Sequence, residues 1–269
     1  MSAFLLLLSL SLLLPSAASP AAPALLPAIQ QLRGGAGSRM VLGSYAAEVA
    51  GLFNNMKTPA SILAGALVPL GFLAPLPSPR ADGEPSHATL IRKLHLVIAT
   101  ASLSSELLSV MWATVAVNKL TETAVQPAVS TWALIQRDFE LPWLAVNAHF
   151  VLGMLGFMAM VGSRAYLTAI GTPYGLEAAG CATASLLLML SVVNRGVESG
   201  GGEGLRYGSN ILALIVRYVS LLLHQAIFKF GFLEISAMVL GGGSLGMAIA
   251  SGVKEYRVSL KQTAPTLKK

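Results

Sequence analysis

The sequence predicts an all-α membrane protein, a multi-pass bundle of four to six transmembrane helices. Hydrophobic residues make up 54% of the 269-residue chain and charged residues only 11%, whereas a soluble domain carries about 25% charged residues. The mean hydropathy is correspondingly high, at +0.69. The few charged residues lie mostly between long apolar segments. Because hydrocarbon cannot satisfy backbone polar groups, such segments are expected to cross the membrane as helices.

The N-terminal region predicts targeting signals. Residues 1–18 contain a short apolar run followed by proline and small residues, which is typical of a secretory signal peptide. Residues 19–59 are rich in Ala, Leu and Pro with few acids, and this composition resembles a transit peptide. The two together resemble the bipartite leaders of plastids with extra membranes. We therefore expect a plastid inner envelope or thylakoid location, with a secretory-pathway membrane and a disordered linker as the alternative.

The transmembrane domain is predicted at residues 60–252, followed by a basic tail at 253–269. Three of its six apolar segments clearly have the length of about 20 residues that a spanning helix needs. The first is short and contains Pro69, so it is a weak span or a re-entrant piece, and the fifth is apolar but contains Arg217, His224 and Gln225. The segments are Ala60–Ala74, Leu94–Val117, Leu141–Ser163, Leu176–Asn194, Asn210–Phe228 and Glu234–Gly252.

The basic residues favour an even number of spans. Lys and Arg accumulate on the side of a membrane that is not translocated. Six spans place most of them on one side together with both chain ends, and four spans restore a similar bias. Either five-span arrangement divides them almost equally. A cleaved secretory signal would leave the new N-terminus on the opposite side, and a second insertion step, as in a plastid, resolves that conflict.

The net charge of +6 does not indicate a nucleic-acid partner. The basic residues are spread over loops and the tail and do not form one face interleaved with aromatic residues. They fit the flanks of membrane helices. The expected partners are membrane lipid and other membrane proteins, and no nucleic acid.

One predicted helix carries a polar face built from small residues. Its members recur at three- and four-residue intervals, the spacing of one helix face. Such a face is expected to pack against another helix, and the carboxylate near its centre is expected to pair, protonate or bind something. The face consists of Ala99, Ser102, Glu106, Ser109 and Ala113.

Four polar residues are predicted to meet inside the membrane. In the six-span arrangement, Glu106, His149 and Arg217 lie at comparable depths when measured by the helical rise of about 1.5 Å per residue, and Asn147 is close to His149 in sequence. The resulting cluster would either lock the bundle, as a structural ion pair, or help to hold a ligand.

The cofactor cannot be identified from the sequence, and chlorophyll and haem are the candidates. His149 and Glu106 are the candidate binding residues, since a chlorophyll needs one axial ligand. His95 and His224 fall near the same membrane face and could form a haem pair, although His95 is better explained as the flank of a helix at the membrane interface. The Glu-x-x-His/Asn-x-Arg pattern of light-harvesting proteins is absent. No metal site is predicted, because the single cysteine, Cys181, belongs to no ligand motif.

The last span contains a stripe of small residues. Gly242, Gly246 and Ala250 recur at every fourth position, a pattern that predicts close packing against a second helix. The sequence does not distinguish packing within the chain from packing against another subunit.

The functional prediction is a non-catalytic subunit of a larger membrane complex, with a structural, assembly or pigment-associated role. No catalytic residues are predicted, because no Ser/His/carboxylate arrangement, His-Glu-x-x-His motif or intramembrane Asp pair is present. The alternative is a small membrane transporter that uses the region of Glu106 and Arg217.

Overall fold

The computed structural model describes residues 42–78, 86–198, 210–229 and 231–263. The chain divides into Met1–Val41, outside the described residues, and a unit that begins at Leu42. The described part of this second unit is almost entirely helical, and its β-structure is limited to one isolated bridge between Gly43 and Ala128. The helices are α1 (Ala46–Val68, continued by a π-helical turn, Pro69–Leu73), α2 (Ser86–Glu122), α3 (Thr131–Asp138), α4 (Glu140–Thr168), α5 (Pro173–Glu198), α6 (Ile211–Lys229) and α7 (Phe232–Thr263).

Six of these helices are long and apolar enough to cross a membrane, all except the short α3. The predicted all-α, multi-pass bundle is therefore confirmed, at the upper end of the expected range of four to six spans. The predicted signal peptide, residues 1–18, and the glycine-rich segment 199–204 lie outside the described residues.

The first helix begins earlier than the sequence predicts. Residues 46–59, assigned above to the N-terminal segment, form the first half of α1. Val49 and Phe53 are fully buried there, and the ring of Phe53 packs edge-on against Phe139 and Trp143, with centroids 6.3 and 5.6 Å apart. Hydropathy alone missed this half because it also contains Asn and Lys residues. At the other end of the chain, α7 continues from the predicted boundary at Gly252 to Thr263, into the predicted tail.

The centre of the bundle is the antiparallel pair α2 and α4. The hydroxyl of Ser102 donates to the carbonyl of Gly153 (2.5 Å), and that of Ser109 donates to the carbonyl of Val146 (3.1 Å). As the residue number rises along α2, it falls along α4, so the helices run in opposite directions. Helix α1 packs against this pair, and α5 and α6 pack on α4.

Local sequence signals determine the connections between these helices. Ser130 caps α3, its hydroxyl accepting from the N–H of Ala133 (3.1 Å). Between α4 and α5 the chain reverses at Gly171, whose φ of 82° is a conformation that favours glycine. Pro173 then begins α5, where its missing N–H leaves no hydrogen bond unmade. The Asn210 side chain caps α6 by accepting from the N–H of Ala213 (2.9 Å).

Helices α5, α6 and α7 form the periphery and present many apolar side chains outward. Within the spanning stretch Ile235–Lys254 of α7, 0% of the residues of its most apolar window are buried inside the bundle. An outward apolar surface of this kind fits contact with membrane lipid, which requires no covering by protein.

Candidate functional site

The carboxyl group of Glu106 is buried at the interface of α2 and α4. Its side chain has 0% exposure, and neither carboxylate oxygen has a hydrogen-bond partner. It lies directly against the backbone of Gly153. A Cβ atom at Gly153 would lie 2.7 Å from Cγ of Glu106, 2.5 Å from Cδ and closer still to Oε1. The glycine therefore provides the space that the carboxyl group occupies.

The rest of the predicted small polar face surrounds this carboxyl group. All five of its members are buried. Ser102, one turn before Glu106, lies against Gly156, where an added Cβ would be 2.7 Å from the serine Cβ. Both serine hydroxyls donate to carbonyls of α4, as described above. The structure thus places the face against another helix, as the sequence predicts, and the facing helix accommodates it with glycines.

His149 lies on α4 but turns toward α6. Its Nε2 atom is 2.9 Å from the hydroxyl of Tyr218, and the two rings meet edge-on with centroids 5.3 Å apart. Its Nδ1 atom is buried without a hydrogen-bond partner. Asn147 donates to the carbonyl of Trp143 on its own helix (2.8 Å) and so is not part of a shared cluster.

Arg217 does not pair with Glu106, and this part of the predicted cluster is wrong. Its guanidinium instead donates through Nε and Nη2 to Oε1 of Glu140, at 3.2 and 3.0 Å. The Arg217 side chain is 49% exposed, unlike the buried Glu106. The prediction compared only depths along the membrane normal, and such a comparison takes no account of rotation about the helix axis. Helix α6 packs mainly on α4, and Arg217 extends along that surface to the first residue of α4.

Sequence reasoning missed a second polar site, where Arg164 of α4 holds the end of α1. Its guanidinium donates to the carbonyls of Leu70 (3.0 Å), Ala74 (3.1 Å) and Pro75 (2.8 Å). The guanidinium of Arg92 donates to the carbonyl of Pro77. The prolines in this segment are the signal that could have revealed the site, since a proline supplies no N–H and leaves nearby carbonyls without their usual donor.

His95, which the sequence suggested to be an interfacial helix flank, is buried as part of this second site. It is 2% exposed, and its Nδ1 lies 3.3 Å from the hydroxyl of Ser163, which itself donates to the carbonyl of Met160. The other ring nitrogen, Nε2, is buried without a hydrogen-bond partner in the described chain.

The geometry of the candidate ligands does not fit an axially ligated chlorophyll or haem. One ring nitrogen of His149 contacts Tyr218 and the other is buried, while Glu106 is in direct contact with α4. The suggested haem pair does not converge either, because His95 is buried while His224 is exposed on α6 with its ring beside Phe228. A tetrapyrrole at either place would require the helices to move apart.

The predicted small-residue stripe of α7 faces away from the rest of the chain. Gly242, Gly246 and Ala250 are all exposed, and a Cβ added to either glycine would meet no atom within 4 Å. Gly153 and Gly156 behave in the opposite way, because they are already used to bring α4 close to α2. The structure therefore assigns one set of glycines to internal packing and leaves the other without a partner in the described chain.

Comparison with known proteins finds no matching family model, no similar curated protein and no similar solved structure. Function must therefore be inferred from the chain's own residues.

Proposed function

We propose that this protein is a non-catalytic subunit of a larger membrane complex, which it joins through helix α7. The observation that carries the proposal is the outward position of the stripe formed by Gly242, Gly246 and Ala250. Exposed leucines and valines need no explanation in lipid. Small residues at every fourth position are different, because they allow a second helix backbone to approach closely.

The chain itself supplies a comparison for this use of glycine. Gly153 and Gly156 of α4 allow α2 to approach so closely that added Cβ atoms would overlap its side chains. The α7 stripe offers the same kind of surface, and its spanning stretch is the least buried of the six. A partner helix from another membrane protein would complete it.

We propose a plastid inner envelope or thylakoid as the membrane. The proposal is supported by the order of the N-terminal signals, an apolar leader in residues 1–18 followed by a transit-like composition. A two-step route also agrees with the concentration of basic residues on the side that holds both chain ends. A membrane of the secretory pathway remains the alternative.

The test is the native mass of the protein isolated in mild detergent from its own organism. The wild type is expected in an assembly much larger than 28.0 kDa, together with other membrane proteins. Replacing Gly242 and Gly246 with Leu should release it from that assembly. Ala237→Leu with Ser244→Leu is the matched control, since these small exposed residues lie on the opposite face of α7. Equal native masses for both double variants and the wild type would contradict the proposal.

An absorption spectrum of the same preparation tests the pigment-associated form of this role. Co-purified chlorophyll or haem that is lost with the partner proteins would belong to those partners. Pigment retained by the isolated chain would require a rearrangement around His149 and Glu106.

A small transporter is the second candidate, and the unpartnered carboxyl group of Glu106 is the observation that favours it. Ionisable residues inside membranes commonly mark ion or proton paths. The transport hypothesis no longer includes Arg217, because Arg217 pairs with Glu140. Solute- or proton-coupled flux in proteoliposomes that disappears in Glu106→Gln would support transport. Flux that this substitution leaves unchanged would show that Glu106 has no part in transport.

A further inference from the structure

A cleft of about 300 Å³ lies at the end of α2, lined by that helix, by the loop after it and by the end of α3. Binding sites for small molecules range over about 300–1,000 Å³, so this cleft has the size for a lipid headgroup and not for a whole lipid. Most of its lining side chains are exposed. The lining residues that matter below are Lys119, Thr123, Gln126, Arg137, Asp138 and Phe139.

The lining of the cleft carries one positive charge without a counter-charge. Arg137 donates to the carboxylate of Asp138 through Nε (3.1 Å) and Nη2 (2.9 Å), so these two charges cancel. Lys119 contacts the ring of Phe139, 5.4 Å from its centroid, but pairs with no carboxylate in the described part of the chain. The N–H of Thr123 donates to the carbonyl of Lys119 (3.2 Å). This continued helical turn places the Thr123 hydroxyl on the same face as the ammonium group.

The loop that forms one wall of the cleft is fixed by the chain itself. Arg137 donates through Nη2 to the carbonyl of Gln126 (2.9 Å) and through Nη1 to that of Pro127 (3.3 Å). Ala128 forms the isolated bridge with Gly43, with hydrogen bonds of 3.1 Å in both directions. A ligand would not have to order this wall, and little binding free energy would be lost to ordering.

The three tryptophans of the chain lie at this end of the bundle. They pack in the core cluster that contains Phe139, and they are Trp112, Trp132 and Trp143. Tryptophan is enriched at the level of the lipid headgroups. Lys119 is seven residues after Trp112 and therefore about 10 Å further along α2. The cleft thus lies at the membrane surface, on the side where six spans concentrate the basic residues.

We propose that the cleft binds the phosphate group of an anionic phospholipid through the Lys119 ammonium and the Thr123 hydroxyl. Basic pockets beside membrane helices bind such headgroups. One negative charge on the lipid would neutralise the one unpaired charge of the lining. A choline headgroup is disfavoured, because Lys119 already occupies the aromatic face of Phe139 that could accept a quaternary ammonium. The inference does not depend on the proposed assembly role.

The first experiment measures lipid binding to the delipidated full chain in mild detergent by native mass spectrometry. Phosphatidylglycerol is expected to bind at one site about fivefold more tightly than phosphatidylcholine with the same acyl chains, the effect of about one charge near the membrane surface. Equal affinities for the two lipids would overturn the proposal. Displacement of phosphatidylglycerol by millimolar inorganic phosphate would assign the cleft to a soluble phosphate and would overturn the lipid as its ligand.

The second experiment repeats the titration with two variants that each remove one positive charge. Lys119→Gln is expected to lower the affinity for phosphatidylglycerol about fivefold. Lys254→Gln is the matched control, since it changes an exposed lysine of α7 outside the cleft, and it should leave the affinity unchanged. Lys119 is exposed as well, so an unchanged Tm without lipid is expected for both variants. Equal losses of affinity in the two variants would indicate general attraction to positive charge and would overturn the proposal.

Discussion

At the scale of single residues, the contact between α2 and α4 depends on glycines of α4 that lie opposite polar side chains of α2. Glu106 is accommodated because α4 has a glycine at position 153, and Ser102 because it has one at 156. Neither requirement is visible in α2 alone. The pattern of α2 predicts that its face is buried, but the facing residues depend on the register of two helices that are distant in sequence.

Gly153→Ala is expected to destabilise the protein. The added methyl group would overlap the Glu106 carboxyl group, and overpacking of this kind costs about 1–3 kcal/mol of unfolding free energy. Gly180→Ala is the control, because a Cβ there meets no atom within 4 Å on α5. Thermal unfolding in detergent compares the two. An equal Tm for both variants would contradict the close contact at Gly153.

Arg217 is expected to be coupled energetically to Glu140 and not to Glu106. A double-mutant cycle of Arg217→Gln with Glu140→Gln should give a coupling of up to about 1 kcal/mol, because the pair is partly exposed. The coupling should weaken with added salt. The cycle with Glu106→Gln serves as the comparison and should be additive. Stronger coupling to Glu106 would return Arg217 to the predicted cluster.

At the scale of elements, the end of α1 is the clearest case of a helix held by its neighbours. The π-helical turn Pro69–Leu73 and the proline-containing segment after it have carbonyls that their own backbone does not satisfy. Arg164 supplies donors to three of them from α4. A basic group at a helix C-terminus also interacts favourably with the helix dipole. The end of α1 is thus fixed by a residue about 90 positions further along the chain.

Arg164→Leu is expected to loosen this end of α1 while leaving the rest of the bundle folded. A buried carbonyl left unpaired costs about 1–3 kcal/mol, and solvation will reduce that value where the site is open. Hydrogen exchange of residues 70–78 should therefore become faster. Arg164→Lys keeps the charge but lacks the planar fork, so an intermediate rate is expected. Unchanged exchange in Arg164→Leu would show that the three contacts do not hold the segment.

At the scale of the whole molecule, a membrane changes what an exposed surface means. In water, the outward apolar faces of α5, α6 and α7 would indicate missing partners, whereas in lipid they are the ordinary surface of a spanning helix. Only features that lipid does not explain remain informative. In the described part of this chain, these include the outward glycines of α7, the buried, unpaired Glu106 and the buried ring nitrogens of His95 and His149 that have no partner.

The topology predicts opposite sides for the two ends of α4. Cysteines introduced at Thr123, before α3, and at Thr172, after α4, both replace exposed residues. In a Cys181→Ser background, a membrane-impermeant maleimide should label them from opposite sides. A tag after the last residue should be accessible from the same side as position 123, as an even number of spans requires. Labelling of both cysteines from one side would exclude α4 as a span.

The sequence by itself determined that this protein is a helical membrane bundle, because apolar length and helical periodicity are local properties of the chain. It also identified the face around Glu106 as a buried packing surface, whereas the packing role of the α7 glycine stripe stays a prediction. Only the tertiary structure decided that residues 46–59 belong to the bundle, that Arg217 pairs with Glu140, and that the α7 stripe faces outward. These features depend on the rotation and register of helices that are far apart in sequence, which no local pattern records.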